Sequence, residues 1–417
     1  MASLYFFTNF QRVGIPGTVF NEIQSDFGVS ASAVTALAAV FLYVYAGMQV
    51  FIGAGADRFG PGRMLLVGAA LLVIGSILFA FAPTMTTLLL ARALVGLGAS
   101  FMYICIIKQI INTFETRFFP PLLGLLLLVG YSGGIVATAP LALAVGRYGW
   151  RASFAVAAVL SLAAYVVMAV LVIRVRKSSG HRPSFSLASA FALLKRREIY
   201  PLLVTGAINF GIYYVLQVTI GKKFLEDFLG MGSGAAALVT GAMLLTVTLG
   251  YTVGGFLPKL TGERRKPFVI IASAGVLLAS AMLAAGMAAG LPAWWFAAAF
   301  VVLGATNSPA IVATSLLKEM SPRATAAFSI SILNAACYVS VAMASTAAGL
   351  VLDRFESGAR EVNGHMVYPP AAYGVMFAGM VVLASVSLAV SFFAPETHGV
   401  QYNEETAPAV HAGASQA

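Results

Sequence analysis

Along the 417 residues, apolar stretches of about twenty residues alternate with short polar breaks from one end of the chain to the other. A helix of that length spans the roughly 30 Å hydrocarbon core of a bilayer. Twelve such helices are expected, near 3–22, 30–54, 63–82, 86–111, 120–144, 151–173, 199–222, 233–257, 267–289, 293–317, 325–351 and 371–394. The sharpest break is Gly53–Arg63, which carries Asp57, Arg58 and Arg63, the only charges between residues 27 and 91. Charge and exposed backbone are excluded from hydrocarbon, so the chain is expected to cross, turn tightly here and cross back. The longest polar break between spans, Arg174 to Glu198, divides the spans six and six. The expected organisation is an N-terminal six-helix bundle over 1–173, a cytoplasmic linker over 174–198, a C-terminal bundle over 199–394 and a disordered tail over 395–417. Segment 352–370 reads as a longer loop on the outer face.

Composition agrees with a polytopic membrane protein: 60% of residues are hydrophobic and 10% charged, with a mean hydropathy of +0.91. A soluble chain would carry about 25% charged residues. The net charge of +10 does not point to nucleic acid, because the basic residues are spread over interhelical breaks. With the N-terminus inside, the inner breaks hold 17 basic residues: Arg58, Arg63, Lys108, Arg117, Arg174, Arg176, Lys177, Arg182, Lys195, Arg196, Arg197, Lys259, Arg264, Arg265, Lys266, Lys318 and Arg323. The outer breaks hold 4: Arg147, Arg151, Arg354 and Arg360. That asymmetry places both termini in the cytoplasm. Cys105 and Cys337 lie inside spans and read as reduced packing residues. No cleavable signal pattern precedes the first span. His181, His365, His398 and His411 are scattered over breaks and tail, and Gly250–Gly255 lies within a span. Neither a metal cluster, a catalytic triad nor a phosphate cradle is therefore expected, and the chain reads as no enzyme, with no cofactor.

The informative residues are the cations that do not belong in lipid. Arg12 falls near the middle of the first span, Arg92 within the fourth, Lys108 near the inner end of the fourth, and Lys222 and Lys223 at the end of the seventh. The acidic residues all read as loop, helix-end or tail positions, so none is expected to neutralise these cations at mid-membrane. A central Arg costs about 2.5–3.5 kcal/mol to insert. Arg12 either faces a wet cavity and meets an anion there, or donates to backbone carbonyls and locks two helices. Asn9 lies one turn earlier and Pro16 one turn later. In the seventh span Asn209, Tyr213 and Gln217 are spaced by four and form one stripe running toward Lys222 and Lys223. Adjacent residues point about 100° apart on a helix, so Lys222 and Lys223 cannot both face a cavity. Further cavity candidates are Tyr103, Tyr131, Asn307 beside Ser308, and the pair Asn334 and Tyr338. Each of these also suits an interhelical hydrogen bond.

The pattern G-x-x-x-D-R-x-G-x-x-R over residues 53–63 resembles the loop between helices two and three of the major facilitator superfamily of transporters. It departs from the usual form at Gly55, where Leu is common, and at Pro61 and Gly62, where a basic residue is common. Arg92-Ala-Leu-Val-Gly96-Leu-Gly98 resembles that family's fourth-helix R-x-x-x-G-x-G. Gly255–Lys266 is a degenerate echo of the 53–63 turn, and Asp353-Arg354-Phe355 echoes Gly146-Arg147-Tyr148. The resemblance covers about residues 1–395 and implies an all-α fold of twelve transmembrane helices in two pseudo-symmetric six-helix bundles, acting as a monomer by alternating access about a central site. It implies that Asp57, Arg58 and Arg63 latch the halves, that Arg92 serves coupling or bracing, and that the first, fourth, seventh and tenth spans line the cavity. Arg12 with Pro16, followed by Asp26–Ser30, is similar to prokaryotic solute-uptake permeases related to phagosomal nutrient transporters and organic-anion carriers, which implies the bacterial inner membrane. An electropositive cavity without carboxylates calls for a small organic anion or an amino-acid-like solute, since a carboxylate pairs with Arg bidentately. The proton then travels with the substrate's own carboxyl group as symport, or transport is facilitated or exchange-driven. The alternative is a drug/proton antiporter, but its fifth-helix signature Gly-Pro-x-x-Gly-Gly is matched only by glycines and a proline in another order, Gly130 to Pro140.

Overall fold

The computed structural model describes residues 1–115, 118–174, 196–254, 261–307, 310–321 and 326–400. Its N-terminal half runs α1 (Ala2–Gly14), α2 (Phe20–Phe27), α3 (Ala31–Phe59), α4 (Pro61–Ala80), α5 (Met85–Thr113), α6 (Phe119–Val136), α7 (Ala139–Tyr148) and α8 (Trp150–Arg174). The C-terminal half runs α9 (Tyr200–Val215), a π-turn (Leu216–Ile220), α10 (Gly221–Leu229), α11 (Ser233–Gly254), α12 (Lys266–Ala288), α13 (Ala293–Asn307), α14 (Ala310–Glu319), α15 (Ala326–Arg354) and α16 (Pro370–Ser391).

Ten of these helical stretches are long and apolar enough to cross a membrane, and the pair α6–α7, bent by 42°, makes an eleventh. Among the described residues that gives ten or eleven spans against the twelve expected; the first expected span falls on two shorter helices, Ala2–Gly14 and Phe20–Phe27. The chain is thus an all-α membrane protein of two packed halves. In the first, α3 and α4 pack on α5, α1 on α6 and α4 on α8; in the second, α9 packs on α15, α12 on α13 and α16, and α11 on α13. The halves meet where α3 lies along α15, and where α6 and α7 meet α11.

Several boundaries differ from the sequence reading. The turn expected over 53–63 is helical through Phe59, and only Gly60, at φ +88°, reverses the chain before Pro61 opens α4. Pro at the first helical position costs no hydrogen bond there, and Gly tolerates the positive φ. The first span, read as continuous, breaks at Ile15–Val19, where Pro16 has no N–H to give. The outer loop contains a β-hairpin, β1 (Arg360–Val362) against β2 (His365–Val367), with Arg360 opposite Val367. Its two-residue turn, Asn363-Gly364, has both φ angles positive (53° and 77°), the type I′ geometry that matches strand twist.

The tail is not disordered from residue 395. The Glu396 carboxylate accepts the backbone N–H groups of Arg265 (2.7 Å) and Lys266 (3.0 Å), which open α12. Arg265 in turn pairs with Glu319 at 2.9 Å, closing the end of α14. Residues 401–417, linker residues 175–195 and 255–260 of the second-half echo lie outside the described residues.

Candidate functional site

The break in α1 and the π-turn between α9 and α10 are about 200 residues apart, the offset at which the sequence echoes recur, and they touch. A Cβ on Gly17 would stand 2.9 Å from the Val218 carbonyl oxygen of the other half and 2.8 Å from that of Val13. Here the two halves come together backbone to backbone.

Arg92 builds the wall behind this contact. It is wholly buried, and its guanidinium donates to three carbonyls: Nε to Leu37 (3.0 Å), Nη1 to Gln11 (3.1 Å) and Nη2 to Ile15 (3.3 Å). Interrupting α1 leaves carbonyls without helical donors, and Arg92 supplies them from α5. Of the two roles left open for Arg92, the geometry displays the bracing one.

Arg12 points the other way, into a cavity between the halves. Asn9, Arg12, Val13, Tyr131 and Gly134 line it from the first half; Phe210, Tyr213, Tyr214, Tyr251 and Tyr338 line it from the second. Arg12 is 4% exposed. Its Nη1 donates to the Tyr338 hydroxyl at 3.0 Å, a bond between halves. Its guanidinium carbon lies over the rings of Tyr45 (4.6 Å to the ring centre) and Tyr338 (5.1 Å), an arrangement that stabilises a partly desolvated cation. Nε and Nη2 make no hydrogen bond of normal geometry among the described residues, and Tyr214 approaches only as a looser polar neighbour. No carboxylate among the described residues pairs with Arg12. The cavity measures about 50 Å³ by where a water centre can sit, room for a few waters.

The other expected site residues divide. Asn9, Tyr131, Tyr213 and Tyr338 line the cavity with Arg12. Tyr103 does not; it stacks on Tyr5 at 5.8 Å. Lys108 donates to the Gly53 carbonyl at 2.8 Å and ties α5 to α3. Asn209 is engaged within its own half, donating to Ser273 (3.0 Å) and accepting from Ser387 (2.7 Å). It lines a smaller second cavity with Asn307, whose amide is buried without a hydrogen-bond partner among the described residues. Gln217 sits in the π-turn, buried, with both polar atoms unpartnered among the described residues, and outside the cavity lining. The π-turn rotates the end of the 209–213–217 stripe away from its first members, since an extra residue in one turn shifts everything beyond it. Asn334 is half-buried and outside the lining. Arg58 and Arg63 are exposed; the side chain of Asp57 and residue Ser308 lie outside the described residues.

Lys222 requires a correction, and with it the expectation that no acid neutralises the buried cations. Lys222 Nζ is 2.7 Å from Glu226 and Lys223 Nζ is 2.7 Å from Asp227, both one turn along α10. Neither lysine enters the cavity. The signal was legible: Lys-Lys-Phe-Leu-Glu-Asp sets both pairs at i,i+4. This cluster fastens the halves at one end of the bundle. Asn21 donates to Glu226 (2.8 Å), Gln24 to the Tyr368 hydroxyl (2.7 Å), and the Ser32 N–H to Asp353 (3.1 Å). Asp227 also accepts from the Tyr368 N–H (3.0 Å) and the Tyr373 hydroxyl (2.7 Å), so the hairpin loop is pinned to α10. Burial pushes the Tyr368 hydroxyl up to about 12, which keeps it neutral in this contact.

Two packed helical halves that both line a buried cavity at Arg12, joined at one end by cross-half hydrogen bonds, have the form of a membrane carrier. Residues 1–291 match the Major Facilitator Superfamily, and the chain belongs to that family of transporters. Over 275 residues it is 26% identical to the multidrug resistance protein MdtL of Shigella dysenteriae serotype 1, covering 64% of this chain and 66% of that protein. The MdtL of Escherichia coli O157:H7 matches to the same extent. The aligned stretch thus spans about two-thirds of these relatives' length. In fold it is similar to a bacterial homologue of the lysosomal transporter Spinster (TM-score 0.75, 17% identity, 94% of this chain and 95% of that one). It is also similar to a D-xylose-proton symporter (TM-score 0.72, 19% identity, 96% and 98%).

Proposed function

We propose that this transporter moves a small organic carboxylate across the bacterial inner membrane, both termini facing the cytoplasm, by rocking residues 1–173 against 199–394 about the cavity at Arg12. One observation carries this reading. Arg12 is a buried cation with no acid partner among the described residues and with two donors, Nε and Nη2, free of hydrogen bonds of normal geometry. These two N–H groups are parallel neighbours on one edge of the guanidinium, the fork that a carboxylate accepts bidentately. The substrate supplies the negative charge that the chain withholds. The proton, where one is carried, travels on that same carboxyl group.

The MdtL relatives support a second reading, drug efflux, because they are named as multidrug resistance proteins. A lipophilic cation would meet Arg12 in the cavity and be repelled, which favours the first reading. The test is thermal stabilisation of the detergent-solubilised protein by carboxylates, amino acids and cationic drugs, repeated with Arg12→Gln. Stabilisation by carboxylates that disappears in the variant is expected. Stabilisation by cationic drugs alone would establish efflux instead.

A further inference from the structure

Resting on that reading, we infer that the cavity selects a flat, unsaturated monocarboxylate, an aryl acid, over a saturated carboxylate of the same size. Three features lead there. Arg12 is the sole charged side chain among the described residues that line the cavity, so the site balances one negative charge; a second carboxylate would go unanswered. In this arrangement one guanidinium donor is engaged by Tyr338 of the other half and the guanidinium carbon lies over the Tyr45 ring, leaving the Nε–Nη2 edge as the carboxylate seat.

The remaining wall is aromatic. Phe210 stacks on Tyr214 with centroids 4.8 Å apart and meets Tyr338 edge-on at 5.4 Å, while Tyr131 faces Tyr251 from the opposite half at 6.4 Å. These rings are locked against each other rather than free to fold over a rounded body. Aromatic surfaces favour an offset or edge-on ring by about 0.5–1.5 kcal/mol beyond the area buried. The Tyr213 hydroxyl is buried and without a hydrogen-bond partner among the described residues. It offers one polar contact to a ring substituent, since an unpaired buried hydroxyl gains most from a ligand that pairs it.

Benzoate and cyclohexanecarboxylate carry the same charge and nearly the same volume and differ in the π-face. Their affinities are compared by equilibrium dialysis against full-length protein in nanodiscs, with benzamide as the neutral probe and Phe210→Leu and Arg12→Gln as variants. Benzoate is expected to bind about three- to tenfold tighter than cyclohexanecarboxylate. Phe210→Leu should bring that ratio toward one without abolishing binding, and benzamide should bind at least tenfold more weakly than benzoate. Equal binding of the two acids, both lost with Arg12→Gln, would overturn the aryl preference and leave the carboxylate reading standing. Benzamide binding as tightly as benzoate, or neither acid binding at all, would overturn both.

Discussion

Replacing Glu226 by Leu isolates the energetics of the closed end. Lys222 Nζ lies 2.7 Å from Glu226 Oε1, and the two side chains are 3% and 12% exposed. At that distance, with an effective dielectric of about 20, the attraction is about 6 kcal/mol. Desolvation costs several kcal/mol per ion, so the intact pair nets close to zero. Removing Glu226 alone keeps the cost of burying Lys222 and loses the attraction, which destabilises by about 3–5 kcal/mol. It also removes the acceptor for Asn21, one of the bonds between halves. On the scale of a half of about 200 residues this lowers the unfolding midpoint by about 6–20 °C. Thermal unfolding in detergent measures it, with Lys222→Met/Glu226→Leu as the partner experiment. The double variant removes both charges and should recover most of the loss. A single variant within about 1 kcal/mol of the parent, or a double variant as unstable as the single, would refute the reasoning.

Three further outcomes follow. Gly17→Ala places a Cβ 2.9 Å from the Val218 carbonyl oxygen of the facing half; overpacking of about 1–3 kcal/mol should fall on the closed state. Spin labels at Ser25 and Ser357 should then show a longer-distance population that the parent lacks. Arg92→Lys leaves a single ammonium to serve three carbonyls held by a planar fork, and should lower stability by about 2–4 kcal/mol in the same unfolding assay. Partial burial works against ionisation of Glu396, but the N–H groups of Arg265, Lys266, His398 and Thr397 outweigh it and hold its carboxyl below the ordinary range. A depressed carboxylate contributes stability above its unfolded pKa, about 4.3 for Glu, and loses that contribution as pH falls through the folded value. Limited proteolysis of the 394–400 segment should therefore accelerate on acidification below about pH 4, and Glu396→Gln should flatten that response.

Much of the architecture was legible because lipid enforces it: every crossing must be a long apolar helix, and every break must carry polarity out of the bilayer. The site was half legible. Arg12 stands out in sequence because a central guanidinium is costly, and Tyr131, Tyr213 and Tyr338 join it in the cavity. Phe210 and Tyr251 do not stand out, since an aromatic residue in a span is ordinary and only the packing of the halves reveals which ones face inward. Gln217 was misplaced because nothing local announces the π-turn at Leu216–Ile220. Lys222 looks unpaired in a span that ends at residue 222, whereas the helix continues to Leu229 and brings Glu226 one turn away. The Asn363-Gly364 hairpin was also readable from its turn dipeptide.

The central claim is that the cargo answers Arg12. It is tested most directly by counterflow of radiolabelled benzoate into proteoliposomes holding the parent protein or Arg12→Gln, with melting temperature and reconstituted amount matched. Losing a bidentate charge-assisted contact of about 1.5–3 kcal/mol predicts saturable counterflow in the parent and at least a tenfold loss in the variant. Undiminished counterflow in Arg12→Gln, or counterflow of cationic dyes with none of carboxylates, would contradict it.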